Sequence, residues 1–258
     1  MDLELKNKVV VVTGGSRGIG FACAEAFLRE GARVGIVSRS PANMEAAKAR
    51  LPGLVGTSAD LVDAEAALRA IDALERELGP IDVLVNSAGA ARRTPPDELS
   101  PAAYRAALDA KFFSYVNAID PVVKRMAERK TGVIVNVAGN GGKVASPTHI
   151  AGGAANAALM LMTAGLANAY ASRGVRVVAV NPGITETERM TQGLEADARL
   201  SGTSVEDARE KGRARIPLGR FAAPGEVADV VVFLASARAS YVTGVSISMD
   251  GASNPIVV

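Results

Sequence analysis

Val9-Val10-Val11-Val12-Thr13-Gly14-Gly15-Ser16-Arg17-Gly18-Ile19-Gly20-Phe21 runs from four valines through a glycine-rich turn into a helical pattern of Phe21, Ala24, Phe27 and Leu28, ended by Gly31. Consecutive β-branched residues suit a parallel strand buried on both faces. Glycines let the backbone turn tightly and come close to a pyrophosphate, and the first turn of the helix that follows offers unpaired N–H groups and partial positive charge. A glycine turn alone is weak evidence, because any tight strand-to-helix turn uses glycine. Here a strand precedes it and a helix follows. Thr13, Gly14, Ser16, Arg17, Gly18, Ile19 and Gly20 are therefore expected to form a phosphate cradle.

Outward from this unit, six more apolar runs read as strands: Arg33 to Val37, Leu54 to Ser58, Ile81 to Asn86, Gly132 to Val137, Val175 to Val180 and Ser246 to Met249. Helical patterns separate them. The clearest is Ala64, Ala67, Leu68, Ile71, Leu74 and Leu78, spaced by three or four and stopped at Gly79-Pro80. Such alternation predicts α/β architecture, a doubly wound (Rossmann) parallel sheet of about seven strands, with chemistry at the carboxyl edge of the strands. Residues 1–258 are expected to form one domain, since no linker, repeat or low-complexity stretch interrupts them. The polar, charged segment 188–216 is expected to be a substrate lid, partly helical.

Composition narrows the classes. There are 29 Lys+Arg against 27 Asp+Glu, and no basic run, which argues against nucleic acid as a partner. Cys23 is the only cysteine and His149 the only histidine, so neither an intramolecular disulfide nor a cysteine-based metal site is expected. No secretory leader is recognised at Met1-Asp2-Leu3-Glu4-Leu5, and no apolar run is expected to reach the roughly 18 residues of a membrane span. The expectation is a cytoplasmic protein without membrane or metal. The 48% hydrophobic content with 4% aromatics points to a core of Ala, Val, Leu and Ile.

The spacing Thr-Gly-x-x-x-Gly-x-Gly resembles the short-chain dehydrogenase/reductase family, and the resemblance continues along almost the whole chain. Asp60-Leu61 looks like the family's adenine contact, and Asn86-Ser87-Ala88-Gly89 looks like its Asn-Asn-Ala-Gly. Asn181-Pro182-Gly183-Ile184-Thr185-Glu186-Thr187 is similar to its Pro-Gly segment near the nicotinamide carboxamide and pyrophosphate. Gly219-Arg220, Pro224 to Ala228, Phe233 to Ser236 and Asp250-Gly251 follow its C-terminal pattern. By this resemblance Asp60, Leu61, Asn86, Ala88, Gly89, Pro182, Gly183, Thr185 and Thr187 join the cofactor site, and a homotetramer or homodimer is implied.

The end of the second strand chooses between NAD and NADP. An acidic residue there would bind a ribose 2′-hydroxyl, but the sequence has Ser38-Arg39-Ser40. Arg39 can pair with a 2′-phosphate, and Arg17 resembles the second basic position of NADP-using members. NADP(H) is thus expected over NAD(H). The alternative for either arginine is a solvated surface charge.

The catalytic positions depart from the family. Aligned on Asn156-Ala157-Ala158-Leu159, Gly152 stands where the resemblance expects Tyr and Asn156 where it expects Lys; Gly139 replaces Ser and Lys111 replaces Asn. His149 and Asn156 match the wider Tyr-to-Lys spacing of the enoyl-reductase branch. His149 is accordingly a candidate proton donor, set against an ordinary structural histidine. Asn156 can bond a ribose hydroxyl. Lys111 can stabilise oxyanion charge, set against a lysine that reaches solvent. Tyr104, Tyr115 and Tyr170 read as packing. Arg92, Lys143, His149 and Thr187 are expected to converge on a small-molecule substrate.

The leading reading is an NADP(H)-dependent oxidoreductase acting on a carbonyl, hydroxyl or activated double bond with an altered proton donor. A catalytically silent NADP-binding regulator, or an isomerase or lyase on the same scaffold, stays open beside it.

Overall fold

A strand buried on both faces must present apolar side chains alternately to two layers, and the valines of β1 (Val9–Thr13) do this: Val10 and Val12 face one core, Val9 and Val11 the other. The computed structural model describes residues 1–89 and 93–255. After β1 come α1 (Gly18–Arg29), β2 (Arg33–Ser38), α2 (Pro41–Arg50), β3 (Val55–Ser58), α3 (Ala64–Leu78) and β4 (Val83–Asn86). Next are α4 (Pro101–Leu108), a π-helical turn over Asp109–Phe113, α5 (Ser114–Glu128), β5 (Gly132–Val137), α6 (Ile150–Tyr170) and β6 (Val175–Pro182). The chain continues with α7 (Glu188–Ser201), α8 (Val205–Ala214), α9 (Pro224–Ala235) and β7 (Ser246–Met249).

The seven strands lie in the order β3-β2-β1-β4-β5-β6-β7, and every pairing is parallel. All seven expected strands are present, with small shifts at their ends. One core packs α1, α2 and α9 on the sheet, and the other packs α3, α5 and α6. Strand order reverses between β1 and β4, whose crossover helices α1 and α5 lie on opposite faces. The crevice outside their carboxyl ends is where such folds take ligands.

Two expectations are refined. The segment 188–216 is mostly helical, as α7 and α8, with Gly202 in a left-handed conformation (φ 64°) between them. The expectation that no apolar stretch approaches a span is corrected. α6 and the turn after it, Ile150–Arg173, are long and apolar enough by length and composition. One side of α6 buries Ala155, Leu159 and Ala167 against the sheet, so its apolar character includes that of a core helix, while Leu161 on the other side is 77% exposed.

Buried polar residues bind the strand ends together. Asn86 Nδ2 donates to Asn136 Oδ1 at 3.0 Å, and Asn136 Nδ2 donates to Thr163 Oγ1 at 2.9 Å. Thr163 Oγ1 in turn donates to Leu159 O within α6 at 2.8 Å. The chain thus couples β4, β5 and α6 just behind the crevice. Asn136→Ala leaves Asn86 and Thr163 each short of a partner at fully buried positions, which costs about 1–3 kcal/mol apiece. Urea unfolding should show a loss of at least about 2 kcal/mol; an unchanged midpoint would contradict the role assigned to this chain.

Candidate active site at the carboxyl edge

Four loops meet at the crevice. The first follows β1, where Gly14 has φ +68° and its Cα faces Ala88 so closely that an added Cβ would lie 2.7 Å from Ala88 Cα. Gly20 is equally bare, because a Cβ there would lie 2.3 Å from Gly14 O. Thr13 Oγ1 accepts from Ser87 N and Ala88 N at 3.2 and 3.3 Å, tying this loop to the one after β4. α1 begins without a side-chain cap or an acidic residue in its first turn, so its N-terminal N–H groups and partial positive charge are uncompensated.

Around the cradle, Ser16 Oγ and Ser38 Oγ are 2.9 Å apart, and Ser40 caps α2 by accepting from Asn43 N. Arg39 is exposed, with no hydrogen bond or ion pair among the described residues. Arg17 is already engaged: Nη1 meets Glu188 Oε2 at 2.7 Å and Nη2 donates to Asn43 Oδ1 at 2.6 Å. Asp60 is exposed after β3 and accepts from Val62 N, and Leu61 is buried. After β6, Gly183 N donates to Met249 O, Thr185 bridges to Ala222, and a Cβ on Gly18 would lie 3.3 Å from Thr187 Cγ2. Ile19 lies in the first turn of α1, Pro182 ends β6, and Gly89 lies in the loop after β4. The expected cofactor residues therefore gather along one edge.

The catalytic candidates also converge. His149 stands at the N-cap of α6, half-buried, with no capping bond from its side chain. Its ring lies over Gly152, where an added Cβ would be 2.1 Å from His149 Cε1, and beside Gly141, where one would be 2.8 Å from Cδ2. The imidazole thus fills space that two missing side chains leave open. Asn156 is one turn beyond Gly152 on α6, next to Gly139, whose Cβ would approach Asn156 Nδ2 to 3.0 Å. His149 Nδ1 and Asn156 Oδ1 are both buried without a hydrogen-bond partner.

Lys111 does not reach solvent. It lies in the π-helical turn, fully within the fold, and Nζ donates to Val137 O at 2.8 Å and Tyr115 Oη at 3.0 Å. Tyr115 Oη also donates to Val137 O at 2.8 Å, so the packing tyrosine positions the lysine. Burial, then the charge of Arg189, pulls the Lys111 ammonium down to about 7. Burial, then Arg93 and Lys111, pulls the His149 imidazole down to about 4, so it is neutral at pH 7 rather than titrating there as an unperturbed histidine would.

Several participants escaped the sequence reading. Arg93 Nη1 donates to Thr148 Oγ1 at 3.2 Å and pairs with Asp197 Oδ2 at 3.4 Å, joining α7 to the residue before His149. Arg189 Nη1 donates to Gly89 O at 3.2 Å. Their partners lie far along the chain, and no local pattern announces them. Lys143 turns elsewhere, donating to Ser246 O, and Arg92 lies outside the described residues.

A family model described as enoyl-(acyl carrier protein) reductase matches residues 14–253. The chain belongs to the short-chain dehydrogenase/reductase family. It is 35% identical over 260 residues to 2-(S)-hydroxypropyl-CoM dehydrogenase 3 of Xanthobacter autotrophicus, covering 99% of this chain and 100% of that one. It is 36% identical to D-threitol dehydrogenase of Mycolicibacterium smegmatis, covering 97% and 94%. The solved structure of a single-substitution variant of actinorhodin polyketide ketoreductase with NADPH superposes with a TM-score of 0.94 at 28% identity, covering 97% and 98%. These similarities make the chain a short-chain oxidoreductase. Its residues fit a nicotinamide dinucleotide: the tightly packed glycines bring the turn to the start of α1, whose uncapped N–H groups are donors, and the unpartnered Asn156 Oδ1 is an acceptor such a molecule can use.

Because the folded chain holds His149 neutral where the unfolded chain takes up a proton, this residue contributes stability above about pH 6.5 that is lost as pH falls toward 4. As the only histidine, it gives one imidazole signal by NMR. That signal should titrate near 4; a midpoint at or above 6.5, the ordinary value, would overturn the described environment.

Proposed function

We propose that this protein is an NADP(H)-dependent oxidoreductase acting on the carbonyl or hydroxyl group of a small organic molecule, with His149 as proton donor and acceptor. The observation that carries this is the His149 ring lying against the bare Cα of Gly152, where the family resemblance expects the acid. Thr13, the glycines and the α1 N-terminus would hold the pyrophosphate; Asn86, Ala88, Gly89, Pro182, Gly183, Thr185 and Thr187 would line the rest of the site. Asn156 Oδ1, buried and unpartnered, would accept from a ribose hydroxyl. A bound nicotinamide supplies or removes the hydride.

The chain's own contribution is to the oxygen. A neutral imidazole N–H directed at a carbonyl oxygen polarises it and yields its proton as negative charge develops, a role burial favours over a charged ring. Lys111 stays fixed to β5 through Val137 O, and its charge adds to the positive field that stabilises an oxyanion. α7 and α8 would act as the lid, with the Arg17–Glu188 pair and the Arg93–Asp197 pair as its contacts to the body. The first pair is exposed and so worth little on its own, leaving Arg17 able to exchange Glu188 for a phosphate. The exposed apolar side of α6 supports assembly as a homotetramer or homodimer.

Arg39, unpaired beside Ser38 and Ser40, favours a 2′-phosphate over a 2′-hydroxyl. Calorimetry should find NADPH bound at least about tenfold more tightly than NADH, a difference that Arg39→Asp narrows or reverses. Equal affinities in the parent protein would remove the assignment. His149→Ala should lower kcat by about 10² or more while the NADPH dissociation constant stays within about twofold. Near-parental turnover would return His149 to a structural role.

A further inference from the structure

Charge around the site is unbalanced. Arg17 has Glu188, Arg93 has Asp197 and Arg220 has Glu226, but Lys111 and Arg189 have no carboxylate partner among the described residues. Both are held by neutral oxygens: Lys111 by Val137 O and Tyr115 Oη, Arg189 by Gly89 O. They are close, because Gly89 packs on the backbone that carries Lys111. An added Cβ at Gly89 would lie 3.3 Å from Lys111 Cα. Burial lowers the Arg189 guanidinium from its ordinary value, yet its one hydrogen bond among the described residues is to a carbonyl, so a fork of donors that fits an oxyanion is packed against the fold without a charged partner.

We propose that the substrate of this site carries an anionic group, a carboxylate or a similar oxyanion, that pairs with the Arg189 guanidinium at the rim while its carbonyl faces His149. This rests on the oxidoreductase reading. Arg189 is on the first turn of α7, so the same contact draws α7 toward Gly89 and couples recognition to closure of the proposed lid.

The cofactor's phosphates are a second source of the same chemistry, and the test separates the two. The full-length protein, saturated with NADP⁺ so that no reduction occurs, is titrated calorimetrically with pyruvate, levulinate and 4-carboxybenzaldehyde and with the methyl ester of each. At least one acid should bind about tenfold or more tightly than its ester, and Arg189→Gln should abolish that difference while NADP⁺ still binds. Circular dichroism of Arg189→Gln, with Arg189→Lys as a second variant that keeps the charge and part of the preference, guards against misfolding. Acids and esters that bind alike throughout the panel would overturn the proposal, as would a preference that survives Arg189→Gln. Loss of NADP⁺ affinity in that variant with the acid preference intact would assign the cation to the cofactor and overturn it as well. Because binding is read without turnover, an acid preference in a protein that oxidises no NADPH would leave the anion site standing and remove the redox reading instead.

Discussion

Where parallel strands send their crossovers to opposite faces of a sheet, the chain leaving one strand parts from the chain leaving its neighbour, and backbone N–H groups between them lose their ladder partners. At β1 and β4 the backbone carbonyl of Thr13 still accepts from Ser87 N, and its hydroxyl accepts from Ser87 N and Ala88 N. The main chain and side chain of Thr13 together tie the glycine turn to the Asn86–Gly89 loop beside the crevice. Everything assigned to the site hangs from that junction: the uncapped start of α1 on one side, and on the other Gly89, against which both the Lys111 backbone and the Arg189 guanidinium are set.

Behind the junction, the site is held by two kinds of force. The Asn86–Asn136–Thr163 chain works in a dry interior, where each unmade bond would be costly, and so it fixes the ends of β4 and β5 relative to α6. In front, α7 meets the body through two exposed or half-exposed ion pairs of small net worth and the hydrogen bonds of Thr148 to Asp197 and Arg189 to Gly89 O. Rigid scaffold and weakly held cover are what a site needs if it must admit a ligand and then exclude water.

The sheet was legible because a strand buried on both faces has little choice of residue: Val9 to Val12, Val83 to Asn86 and Val175 to Val180 announce themselves by composition alone. The cradle was legible because glycine is demanded by a close backbone approach, as at Gly14. His149, Asn156 and Lys111 could be picked out as oddities of type at counted positions, but their environments could not. That Lys111 is buried depends on Tyr115 and Val137 meeting it, and that His149 is neutral depends first on its burial and then on Arg93, held by Asp197 from a distant helix. Such facts belong to the packing of separate elements, and no local pattern carries them. The uncharged length of α6 is present in the sequence, but its glycines and alanines do not read as a conventional apolar run.

The contact between His149 and Gly152 also constrains how this sequence can change. With a Cβ at position 152 only 2.1 Å from the ring, even alanine is excluded there while the imidazole keeps its place. A histidine that leaves exposes a hole, and a side chain that arrives first collides. The two positions are therefore alternatives for a single volume, and a lineage that exchanges one for the other must pass through a protein with neither group in it or with one displaced. Two residues one helical turn apart on the chain thus compete for one volume, and a side chain at 152 is admitted only where the ring of His149 rotates away.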